Sequence, residues 1–118
     1  MTLQDCYAAL GGDYEDVSAR LRSDRLIQKF LLKYLDDPSF DQLCAAMAAK
    51  DREEAFRAAH TIKGVCQNLS FTRLLDSSSR LSDALRHDWT PEAGPLAEQV
   101  KADHLAVTAA IRAFQAEL

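Results

Sequence analysis

Residues 55–69 read Ala55-Phe56-Arg57-Ala58-Ala59-His60-Thr61-Ile62-Lys63-Gly64-Val65-Cys66-Gln67-Asn68-Leu69, and their apolar spacing is that of a helix with one buried side. At about 100° per residue, with Ala55 as zero, Ala55, Ala59, Ile62, Cys66 and Leu69 fall within roughly 40° of one line. Lys63, Gln67, His60 and Gly64 lie roughly 80° to 180° away from it. The histidine is therefore off the core stripe. Residues at i, i+3 and i+4 are neighbours on a helix surface, so His60, Lys63 and Gly64 form one patch made of an imidazole, an ammonium and bare backbone. Such a patch suits a nucleophile that must meet a bulky anionic partner.

Working outward, the same helical punctuation continues in both directions, with hardly any strand signal. Thr2 is placed to cap a short helix ending at Gly11-Gly12, and Asp13, with Asp16 three residues on, to open another. Ser23 starts a stronger amphipathic helix carrying Leu26, Ile27, Phe30, Leu31, Tyr34 and Leu35, which stops at Asp36-Asp37-Pro38. A further helix is expected to about Lys50, facing inward with Phe40, Leu43, Cys44 and Met47. The His60 helix follows from about Asp51 to Leu69. Ser70 is expected to cap the next, which runs to about His87, and Thr90-Pro91 to open the last, with Leu96, Val100, Val107, Ile111 and Phe114 inward. Short connections make long amphipathic helices antiparallel neighbours. The expected fold is all-α: an up-and-down antiparallel four-helix bundle over residues 23–118, with short accessory N-terminal helices in 1–22.

Composition limits what the patch can belong to. A chain of 118 residues supports one core and leaves no room for a separate ATP-using module. A net charge of −4 argues against general nucleic-acid binding, which draws on Lys and Arg meeting phosphates. No stretch approaches the roughly 18 apolar residues of a membrane helix, and the start lacks the layout of a signal peptide; a cytoplasmic monomer is the expectation. Cys6, Cys44 and Cys66 are odd in number and not at metal spacing, so they read as reduced and mostly buried. From Ala55 to Leu75 there is no Asp or Glu, while Arg57, Lys63 and Arg73 lie in that window. A mildly basic face favours a partner with an acidic pocket.

The segment Ala58-Ala59-His60-Thr61-Ile62-Lys63-Gly64, with Asn68-Leu69 after it and an amphipathic helix on either side, resembles the histidine-containing phosphotransfer (HPt) domain of phosphorelays. The resemblance covers roughly Ser23 to Leu118. It implies that His60 accepts a phosphoryl group on Nε2 from the aspartyl phosphate of a response-regulator receiver domain and passes it to another. Lys63 would then hold positive charge near the phosphoryl oxygens, and Gly64 would leave room for the receiver's loops. Phosphoryl transfer depends mainly on positioning and charge stabilisation. The Mg²⁺ and the aspartate belong to the receiver in this family, so no cofactor or metal is expected here. The partners implied are receiver domains and a histidine kinase, with neither nucleic acid nor membrane. Two positions depart from the family pattern: Ser70 stands where glycine is common, and Leu81-Ser82 where a Leu-Glu pair is frequent.

Phe56, Arg57 and Gln67 are candidate partner contacts. For Phe56 the competing role is the core edge, and for the other two plain solvent exposure. His104 falls on the inward side of the last helix and reads as a packing histidine; His87 closes a helix, where a cationic side chain complements the carbonyl end. Neither stands at zinc spacing with His60. Two alternatives to a relay carrier remain from sequence. One is the phospho-accepting domain of a histidine kinase, served by a separate ATP-binding domain. The other is a non-catalytic helical adaptor, which the presence of both His60 and Lys63 disfavours.

Overall fold

The computed structural model describes residues 1–118 and is all-helical. In chain order the elements are α1 (Leu3–Leu10), α2 (Tyr14–Leu21), α3 (Asp24–Lys33), a 3₁₀ turn (Tyr34–Asp36), α4 (Ser39–Ala48), α5 (Arg52–Leu69), α6 (Thr72–Leu85) and α7 (Ala93–Ala116). Helix α7 has 24 residues, about 36 Å at 1.5 Å per residue, and so runs nearly the length of a molecule measuring 41 × 26 × 18 Å. Helix α5 packs between α4 and α6, α6 packs on α7, and α7 is covered by α1 and, less extensively, α4.

Local chemistry explains most helix starts. The Thr2 hydroxyl accepts the Asp5 N–H while the Asp5 carboxylate accepts the Thr2 N–H, a reciprocal capping box. Asp13, Ser23 and Asp51 cap α2, α3 and α5 by accepting the amide three residues on. One hydrophobic core joins these elements, and it draws Leu3, Cys6, Tyr7 and Leu10 of α1 in with Ile62, Cys66, Leu74, Leu81, Val107 and Ile111. The buried Tyr7 hydroxyl donates to the Leu69 carbonyl at 2.9 Å, tying α1 to the end of α5.

Several sequence expectations are corrected. Ser70 does not cap α6: it ends α5 in the left-handed region at φ 56°, and α6 begins after Phe71 with no side-chain cap. Its hydroxyl donates to Asp16 and accepts from Arg20, both on α2, so contacts from a distant element hold it in a conformation that favours glycine. Helix α4 ends at Ala48 because Lys50 turns left-handed at φ 53°. Helix α6 ends at Leu85, leaving His87 beyond its last turn. Helix α7 starts at Ala93, with Pro95 within its first turn, where its missing N–H costs nothing. Thr90 instead donates its hydroxyl to the Ala84 carbonyl. Of the cysteines, Cys6 and Cys66 are buried, but Cys44 is exposed; on α4 Ser39, Leu43 and Ala46 are buried, and Phe40 and Met47 pack against the core as expected.

Candidate functional site

Helix α5 carries the site at mid-length, where hydrogen bonds on both sides hold the backbone. Its buried residues are Ala55, Ala58, Ala59, Ile62, Cys66 and Leu69, the stripe that the spacing defines plus Ala58. The side chains of Ala58 and Ala59 take little volume, which lets α5 lie close to its neighbours. His60 is exposed, Lys63 is half-buried and Gly64 is exposed.

A Cβ built on Gly64 meets nothing within 4 Å. Glycine at this position therefore answers no crowding within the chain, although it weakens the helix. Beside it a groove of about 620 Å³ opens between α5 and the α3–3₁₀ segment, lined by Phe30, Lys33 and Tyr34 on one side and Thr61, Gly64 and Val65 on the other. Asp36 and Asp37 also line it. The acid-free window of the sequence thus faces acidic groups contributed by another element, a contact that residue order does not reveal.

Lys63 makes no ion pair, because the five that form lie elsewhere. Its charge is unspent and stands one turn from His60. Arg57 is paired with Glu54 at 2.8 Å, and its carbonyl accepts the Thr61 hydroxyl at 2.9 Å. Gln67 is exposed on the Lys63 side of the helix. Phe56 is half-buried and stacks on the His60 imidazole, with ring centroids 5.7 Å apart and planes 19° from parallel. The Arg86 guanidinium stands 5.3 Å from the Phe56 ring centre. Sequence reasoning left Phe56 between the core edge and a partner contact, and it offered no signal for Arg86, which arrives from the end of α6.

The other two histidines stand apart from the site. His104 is half-buried, hydrogen-bonded through Nδ1 to the Tyr34 hydroxyl at 2.8 Å and stacked on Phe40 at 3.9 Å. Burial lowers its pKa, with Asp41 opposing. His87 is exposed in the α6–α7 connection. No group of three or more His, Cys, Asp or Glu side chains gathers to hold a metal ion, and no helix is long and apolar enough to cross a membrane.

Comparison with curated proteins and with solved structures gave no match. A family model for the Hpt domain matches residues 25–117, which contain α4–α7, nearly all of α3, and every residue of the patch on α5. The chain belongs to the Hpt domain family, whose members serve histidine phosphotransfer in two-component signalling.

Proposed function

We propose that the protein is a phosphorelay intermediate, a cytoplasmic monomeric carrier that takes a phosphoryl group on His60 from one receiver domain and gives it to another. The observation that carries this reading is the joint placement of an exposed imidazole, an unpaired ammonium one turn on, and a glycine with open space over it. In this reading residues 23–118 form the antiparallel four-helix bundle that serves as a rigid stand, with residues 1–22 accessory to it.

The step balances within the two partners. The lone pair of neutral Nε2 attacks phosphorus, the P–Nε2 bond forms, and the P–O bond to the receiver's aspartate breaks. The carboxylate leaves with the electron pair. The proton already on Nδ1 stays there, so no base is required. The loose transition state spreads charge over the phosphoryl oxygens; Lys63 stabilises it from this chain, and Mg²⁺ does so from the receiver. Gly64 leaves the approach open, while Arg57 and Gln67 flank it as partner contacts.

The test is a pair of incubations. The purified protein with Mg²⁺-ATP alone should remain unlabelled, since it has no phosphate-binding loop of Walker type. A phosphorylated receiver should label it within the time of mixing. Self-labelling from ATP, or the absence of labelling by every receiver in a panel, overturns the proposal.

A further inference from the structure

Arg52, Phe56, His60 and Gly64 follow one another at i, i+4 spacing along α5, so these positions form a row on its surface. At the head of the row the Arg52 guanidinium donates to the carbonyls of Leu85 at 2.8 Å and Arg86 at 3.1 Å, fixing the end of α6 against α5. This anchor sets the backbone of Arg86, whose own guanidinium stands over Phe56 and is paired with Asp83 at 3.3 Å. Phe56 in turn stacks on His60. Cation, phenyl ring and imidazole form a single column on an otherwise solvent-facing surface.

An exposed imidazole samples several rotamers, and only those that aim Nε2 outward can meet a docked phosphoryl donor in line. A ring stacked on one face restricts that sampling. The stack holds only if Phe56 is itself held, which is what a guanidinium 5.3 Å from its ring centre does. We propose that Phe56 and Arg86 are positioning residues for phosphoryl transfer, orienting His60 through this column rather than touching the partner. The proposal rests on His60 being the phosphoryl acceptor.

A receiver domain that labels the wild-type protein serves as donor, and single-turnover transfer is measured over a range of receiver concentrations. Phe56→Ala should lower the saturating rate by about tenfold while leaving the half-saturating concentration unchanged. Phe56→Tyr, which retains the ring, should restore the rate. Arg86→Gln should lower the rate by about threefold, and Arg86→Lys should recover part of the loss. Independently of any partner, the imidazole carbon-bound protons of His60 should move downfield in the NMR spectrum of Phe56→Ala as the ring-current shielding is lost. Their positions should be kept in Phe56→Tyr, and His87 should be unaffected in both. Direct reaction with phosphoramidate should still phosphorylate His60 in every variant, showing that the fold and the nucleophile are intact. A raised half-saturating concentration at unchanged saturating rate would make Phe56 a partner contact and overturn the proposal. Unshifted His60 resonances in Phe56→Ala would also overturn it. If the wild type accepts its label on a residue other than His60, the failure lies with the carrier reading itself.

Discussion

Two glycines show how much one missing Cβ depends on its surroundings. At Gly12 an added Cβ would stand 2.7 Å from the Ser70 carbonyl oxygen and 2.7 Å from Leu10. The carbonyl is held by the Asp13 N–H at 2.9 Å and cannot give way. Gly12→Ala should therefore cost about 1–3 kcal/mol, as overpacking does, measurable by urea denaturation. At Gly64 the same change meets open space and should raise stability by up to about 1 kcal/mol, the helix-propensity gain. Transfer from a receiver should nevertheless slow, because the new side chain occupies the approach. Gly64→Gln should slow it further; a Gly64→Gln variant that transfers at the wild-type rate would show that the partner docks elsewhere. Under the proposed function Lys63 acts through charge, so Lys63→Ala should reduce the saturating transfer rate with little change in receiver affinity.

At the scale of the element, Ser70 sets two local preferences against each other. A left-handed backbone costs a non-glycine residue about 1–2 kcal/mol, and the Ser70 hydroxyl returns part of this through Asp16 and Arg20. The same hydrogen bond, ahead of the Arg20 side chain, holds the Asp16 carboxyl below its ordinary pKa. Ser70→Gly removes strain and hydroxyl together and should lie within about 0.5 kcal/mol of the wild type, whereas Ser70→Ala loses only the hydroxyl and should be about 1–2 kcal/mol less stable. A Ser70→Ala variant as stable as the wild type, with Ser70→Gly more stable than both, would show that the α2 contacts do not hold the turn. This residue also marks where sequence reading stops. The starts at Thr2, Asp13 and Ser23 were legible because each cap bonds an amide three residues away. The α5 stripe was legible because a single helix period decides burial. Ser70 was misread because its partners lie about fifty positions earlier in the chain. The Arg86 column and the acidic side of the groove were invisible for the same reason, since both join elements that no local pattern connects.

At the scale of the molecule, the first helix belongs to the core although the family match begins only at residue 25. A chain lacking residues 1–22 gives up the burial of Leu3, Cys6, Tyr7, Leu10 and Val17 and uncovers α7, so it should lose at least about 3 kcal/mol; an unchanged denaturation midpoint would make those helices dispensable. The pH dependence should carry the signature of His104. Burial places its folded pKa below the ordinary 6.5, so below pH 6.5 the unfolded chain binds more protons than the folded one. The stability it secures is full above that value and declines as pH falls toward the folded pKa. His104→Gln should flatten this part of the profile. The central claim is that His60, and no other residue, carries the phosphoryl group, and the most direct measurement is the chemical character and position of the label after incubation with a phosphorylated receiver. The account predicts a phosphoramidate, lost in mild acid and stable in base, located at His60, absent from His60→Gln and retained in His87→Gln and His104→Gln. An acid-stable label, or one that survives in His60→Gln, would contradict it.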